Sequence, residues 1–350
     1  MEYETNVAVA ADPGFFRRSL PYARSLAQLA LAAALLAALL WRVDLASVRT
    51  ELSGATLWWL PLAFVANLTS DWFRAIRWQQ FLAPIKHLSI RFLFAVAVLG
   101  VACNLALPLR AGEVVRVQVL RKRTGLPGST IVATLLSEKL ADIVAFSTFI
   151  ILGILLYEEA HFLWPLALAY GVLLLTGILG ALWLADRANR LPEPARQKGG
   201  RLRSWLFREL RSFGDGLQSF RRPRAMFHVV WASHAAWLCE AAMYYACGRA
   251  LGLDLSPAVY LLVVVAATIA VSLPLTQAGL GVFELAIAGL LVAFGVDKAQ
   301  AATFAIVSHV LLALPYFVSG PFTALALRLS ISDVLFLRSD RAAQPENGIG

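Results

Sequence analysis

Glu138 and Asp142 stand four residues apart inside an apolar stretch that runs from Ser129 to Leu156, so on a helix they share one face. A charged side chain at the centre of a bilayer costs roughly 2.5–3.5 kcal/mol even on lenient insertion scales. Such groups persist where they pair, relay protons or line a wet cavity. Lys139 is adjacent in sequence but projects about 100° away around the helix. Arg110 and Arg116, which arrive with a neighbouring interrupted segment, are therefore the expected partners. Glu113 and Glu284 follow glycines, Gly112 and Gly281, where unwound backbone leaves amides and carbonyls free to join a polar site. Together with Asn104, the residues Arg110, Glu113, Arg116, Glu138, Asp142 and Glu284 form a candidate substrate-binding set. Its charges match no recognised catalytic spacing and no metal-ligand pattern, so no catalytic residue, metal or cofactor is assigned.

Other polar residues read more plainly. Arg74, Arg77, Trp72 and Trp78 are expected to anchor a helix end at the membrane interface. His234 and Glu240 lie in one apolar run, and Asp71 closes another. His309, alone in a hydrophobic segment beside Ser308, reads as a hydrogen-bonded core histidine. Cys103, Cys239 and Cys247 lie in apolar segments without disulfide or metal spacing and read as small core residues.

The elements that must position these groups are membrane helices. With 59% hydrophobic and 15% charged residues and a mean hydropathy of +0.69, the chain is not a soluble globular protein. Its apolar runs are continuous, which excludes an alternating β-barrel pattern. Hydrophobic segments fall at about 26–43, 55–73, 90–108, 130–156, 162–185, 228–250, 258–275, 280–296 and 300–328. The fold class expected is an all-α polytopic transmembrane bundle of about 7–9 such segments, flanked by a cytoplasmic tail over residues 1–25 and a C-terminal tail over 329–350. The connection 186–227 carries eleven Lys/Arg against four acids and is expected in the cytoplasm. It contains an amphipathic helix, with Leu202, Leu206, Leu210, Phe213, Leu217 and Phe220 spaced by three and four. This helix would lie on the inner leaflet or pack on the bundle. The net charge of +9 collects in loops beside spans and does not argue for nucleic acid.

Two segments are not simple spans. Leu107, Pro108, Leu109, then Ala111 and Gly112, are echoed by Leu273, Pro274, Leu275, then Ala278 and Gly279, with Gly281 and Glu284 beyond. Pro108, Gly112, Pro274, Gly279 and Gly281 are the expected structural breaks. Basic residues on both sides of segment 90–108 predict that it enters and leaves on one face, as a re-entrant or broken helix. Paired interruptions of this kind in two halves predict an inverted repeat with a binding site at its interface.

The residues Asn104, Pro108, Arg110, Gly112, Glu113 and Arg116, with Gly125, Glu138, Lys139 and Asp142, resemble the lysylphosphatidylglycerol synthase transmembrane-region family. Pro274, Leu275, Thr276, Gly279, Gly281 and Glu284 look like its other characteristic stretch. The resemblance implies a flippase-like domain of bacterial and archaeal membranes. In the multiple peptide resistance factor it is joined to a synthase that makes lysyl-phosphatidylglycerol. No such domain is expected in residues 329–350, so that lipid is not carried over. The expectation is a lipid flippase of the bacterial inner membrane, multi-pass with a cytoplasmic N-terminus. It is not an enzyme, and with no ATP phosphate loop it is not ATP-driven by itself. Membrane lipids are its expected partners, with a lipid or glycan biosynthetic enzyme as a further one. A lipid-modifying enzyme or an accessory subunit are the alternatives. Arg110→Ala or Glu113→Ala is predicted to abolish activity while membrane insertion, followed by fractionation and immunoblot, persists; loss of insertion in both would make the cluster structural.

Overall fold

The computed structural model describes residues 53–106, 111–190, 201–273 and 275–328. The apolar run 26–43, both tails, Pro108, Arg110 and Pro274 lie outside them. Ten α-helices follow one another: α1 (Trp59–Leu82), α2 (Ile90–Ala106), α3 (Ala111–Thr124), α4 (Gly128–Leu156), α5 (Trp164–Asn189), α6 (Arg201–Gly216), α7 (Pro223–Ala250), α8 (Pro257–Ser272), α9 (Val282–Ala293) and α10 (Lys298–Ala326). Among the described residues there is no strand. Local sequence sets the starts: proline opens α7 and α8, where its missing N–H is harmless. Asp297 caps α10, its carboxylate accepting from the amides of Ala299 and Gln300.

The helices form two copies of one pattern. A long helix leads into a hairpin of two short helices, and a 29-residue helix closes the unit. The first copy is α1 to α4 and the second α7 to α10, with α5 and α6 between them. At ~1.5 Å per residue the hairpin arms reach about 18–25 Å, short of the ~30 Å hydrocarbon core, whereas α4 and α10 exceed it at about 43 Å. By length and composition α4, the stretch Glu158–Ala188 and α10 are apolar enough to cross a membrane.

The two copies run in opposite directions. α1 lies along α7 in the most extensive helix contact of the bundle, and the pair is antiparallel: Thr56 N donates to Ala250 O (2.7 Å) at one end, and Phe81 meets Phe220 at the other. Lys86, just before α2, donates to the carbonyl of Thr124 at the end of α3 (2.7 Å). The first hairpin therefore enters and leaves at one end of the bundle, as its flanking charges predicted. Arg123 also bonds Leu327 O there, placing the end of α10 at this face. The second hairpin enters from the opposite end, where Phe294 packs edge-on against Tyr157 and Gln300 reaches Leu251 O (3.5 Å). The tips meet in the middle, Gln277 Nε2 donating to Leu105 O (3.1 Å).

Packing is exchanged between the copies. The α2 arm lies against α10, and the α8 arm against α4. Trp78, Leu93, Leu120 and Ile131 bury one apolar cluster around the first hairpin, while Tyr260, Phe283, Phe304 and Ile150 build another around the second. α5 presents Leu168, Leu173, Leu175, Leu179 and Trp183 outward, as a lipid-facing helix does. Of the two readings of the amphipathic helix, packing on the bundle is the one seen. Its C-terminal part packs on the bundle, with Thr130 donating to Ser212 O (2.7 Å), while Trp205, Leu206 and Leu210 stay exposed.

One glycine holds the first hairpin together. A Cβ on Gly112 would lie 1.8 Å from the carbonyl oxygen of Gly100 and 2.6 Å from Asn104 Oδ1, and backbone cannot swing aside. Gly112→Ala is therefore expected to destabilise the purified protein by about 1–3 kcal/mol or more, read as a lowered Tm in detergent. Gly171→Ala, with nothing within 4 Å, is expected to leave Tm unchanged or slightly raised.

Candidate functional site

Between the two copies, where the hairpin tips meet, lies a cavity of about 1470 Å³ including its open mouth. Its walls come from α1, α2, α3, α4, α7, α8 and α10, and arginine–carboxylate pairs are set into them. Arg77 Nη1 is 2.5 Å from Asp142 Oδ1 and 3.3 Å from Ser233 Oγ; Trp237 Nε1 donates to the same carboxylate (2.9 Å). Arg74 pairs with Glu240 and stands 4.1 Å over the Trp237 ring. Arg116 reaches both oxygens of Glu138 at 3.0 Å and Glu113 at 3.4 Å, with its guanidinium 4.2 Å over Trp78. The missing side chain of Gly100 makes that reach possible, since a Cβ there would sit 2.5 Å from Arg116 Cγ.

The Arg74–Glu240 pair joins α1 to α7, and Trp237 binds a carboxylate of α4, so the charges tie one repeat to the other. Asn67 adds a further tie. Pro315 lacks the N–H that would bond the Leu311 carbonyl four residues earlier, and Asn67 Nδ2 lies 3.4 Å from that oxygen and 3.2 Å from Leu312 O. Asp71, 2% exposed, has one carboxylate oxygen without a hydrogen-bond partner among the described residues.

Of the residues expected from sequence, Asn104, Glu113, Arg116, Glu138 and Asp142 line this one cavity. Asn104 Oδ1 also accepts from Gly112 N (2.8 Å), closing the first hairpin's tip. Glu284 sits behind the wall at the third position of α9, its Oε2 accepting from Gly281 N (2.6 Å) and its Oε1 2.7 Å from His309 Nδ1. At that break Ala278, Gly279 and Gly281 take φ of 55°, 79° and 82°, the left-handed region that favours glycine. His309 is hydrogen-bonded and buried, and it also faces the cavity.

Two expectations are corrected. Arg74 and Arg77 are not interfacial anchors. Arg77 is 3% exposed and Trp78 fully buried, because α1 continues past residue 73 to Leu82 and carries both into the bundle. Among the described residues Asp142 takes Arg77 as its partner, while Arg116 pairs with Glu138 as expected; Arg110 lies outside them. A signal for this was present in the sequence: Asn67, Asp71, Arg74 and Trp78 recur at spacings of four, three and four, a polar stripe on an otherwise apolar helix. Among the described residues no group of three His, Cys, Asp or Glu is placed to hold a metal, and the three cysteines are free.

Helices too apolar for water, two opposed broken hairpins and buried charge at their meeting point define a polytopic membrane protein with inverted repeats. Residues 25–320 match the sequence profile of the lysylphosphatidylglycerol synthase TM region, and the chain belongs to that family. It is similar to the glycosyltransferase AglD of Haloferax volcanii, 26% identical over 330 residues, which cover 83% of this chain and 52% of that protein. The chain thus spans about half the length of that relative.

Breaking a buried pair strands its partner at a cost of about 3–5 kcal/mol, whereas replacing both members by apolar residues is often close to neutral. Arg77→Met is accordingly expected to lower Tm sharply in detergent, and the double variant Arg77→Met with Asp142→Leu to recover most of the loss.

Proposed function

We propose that this protein translocates a polar-headgroup lipid between the leaflets of a bacterial inner membrane, the headgroup crossing through the charged cavity while the acyl chains remain in the bilayer. The observation that carries this reading is the meeting of two opposed hairpins at one cavity lined by ion pairs. A re-entrant hairpin from each face offers each leaflet its own movable wall, which is what alternating access to a central site requires. The end of the bundle with Lys86, Arg121, Lys122, Arg123, Arg221 and Arg222 faces the cytoplasm in this reading, and the end with Glu158, Glu159, Asp254 and Asp297 the exterior.

Arg74, Arg77 and Arg116 give the headgroup chemistry. Guanidinium groups bind phosphate by paired N–H donors as readily as they bind carboxylate. A phosphate-bearing headgroup entering the cavity would exchange with Glu240 for Arg74 and so loosen the tie between the repeats, or with Asp142 or Glu138 for its arginine and loosen the first repeat. Binding and opening would then be one event. No phosphate loop for ATP is present in the sequence, so the movement runs down a gradient or is coupled to an ion or the membrane potential.

A second reading is that the chain serves a lipid-linked glycan pathway as the membrane partner of a transferase; its support is the similarity to a relative named as a glycosyltransferase. Proteoliposomes loaded with fluorescent lipids separate the two. The expected result is accelerated leaflet exchange of at least one phosphate-headgroup lipid, read by quenching of the outer leaflet, and a loss of about tenfold or more in Arg116→Gln at equal reconstitution. A panel of phospholipids and polyprenyl phosphates that all fail to exchange overturns translocation and leaves the partner reading.

A further inference from the structure

The two hairpin tips are latched by different chemistry. In the first copy Arg116, cationic at any accessible pH, clasps Glu113 and Glu138. In the second, the acid beside the break is Glu284 and its partner is His309. Both ring nitrogens of His309 face oxygen: Nδ1 is 2.7 Å from Glu284 Oε1, and Nε2 is 3.2 Å from the carbonyl of Ala278. A neutral imidazole beside an ionised carboxylate offers one N–H for two acceptors. One added proton, on the ring or on the carboxyl, satisfies both contacts. Without it the pair holds an uncompensated negative charge inside the bundle and sets a lone pair against an oxygen. The contact at risk is on the tip itself, since Ala278 is in the left-handed region and the other Glu284 oxygen holds Gly281 N.

We propose that Glu284 and His309 form a proton-binding site that latches the tip of the second hairpin, so that proton release frees that tip while the first stays clasped by arginine. The proton comes from and returns to water in the cavity, which His309, Ala278 and Gly279 line; no other bond is made or broken. The Phe283 ring lies 4.2 Å from the imidazole on its other side. The charged and titratable groups that share the cavity from the elements packed on α10 are Asp71, Arg74 and Arg77 of α1, Glu240 and Tyr244 of α7, and Tyr316 of α10 itself. On α2 the cavity wall carries Ala97, Val101, Asn104 and Leu105, none of which titrates. The use of this latch to drive lipid movement rests on the translocation reading; the proton site does not.

Hydrogen–deuterium exchange of the full chain in lipid nanodiscs tests the site directly. Protection of a peptide over residues 275–285 is measured against one over 111–124 as internal reference, between about pH 5 and 8, the range in which histidine changes charge. The expected result is a protection ratio that falls about tenfold or more as pH rises, and that no longer changes with pH in Glu284→Gln and in His309→Gln. A ratio independent of pH in the unmodified protein overturns the site. In proteoliposomes the expected result is lipid exchange that responds to an imposed pH gradient. Exchange indifferent to pH, with a tip that still titrates, overturns the coupling. A titrating tip with no exchange of any lipid overturns translocation and supports the proton site.

Discussion

A backbone N–H or C=O left unpaired in hydrocarbon costs several kcal/mol, and each hairpin tip is an interruption of helix within an apolar bundle. The structure meets that demand residue by residue. Asn104 serves Gly112 N, Glu284 serves Gly281 N, Gln277 serves Leu105 O, and Asn67 takes up the carbonyl that Pro315 leaves free. These polar side chains are present because the helices are broken. The cavity follows from the same necessity, since groups that repair a break also keep its neighbourhood polar.

Around that repaired backbone the ion pairs act as connectors. Three arginines hold them, and two of these rest a guanidinium on a tryptophan ring, where a desolvated cation gains attraction. Buried pairs contribute little net stability but punish any arrangement that separates them. Joining α1 to α7 across the repeats, and α1 and α3 to α4 within the first, they favour one arrangement of these helices and make departure from it conditional on some other group taking the arginine.

The sequence made much of this architecture legible, for physical reasons that differ by element. The apolar runs announced the helices, and Pro clustered with Gly near residues 108 and 274 announced the breaks, whereas the lone Pro315 stays inside a continuous helix. The hairpin's return arm was hidden. α3 contains Glu113, Arg116, Gln118 and three basic residues near its end, a composition that reads as a loop until protein surrounds it. Arg74 and Arg77 were misplaced for a related reason: an apolar run ending at residue 73 looks like the end of a span, and only burial of Trp78, Phe81 and Leu82 shows that α1 goes on. Pairings such as Arg77 with Asp142 join residues 65 apart in sequence, a relation that spacing along one helix cannot reveal.

The exchange of packing between the copies bears on how the protein is made. The α2 arm rests on α10, the last described helix of the chain, and Arg123 at the end of α3 closes on Leu327. At ~5–20 residues per second a ribosome needs roughly 10 to 40 s to travel from the first hairpin to the end of α10. Throughout that interval the first hairpin has emerged without the surface that covers it, carrying charges that lipid will not accept. The nascent chain therefore needs either a protected lateral site in the insertion machinery or a provisional partner among its own early helices until α10 arrives.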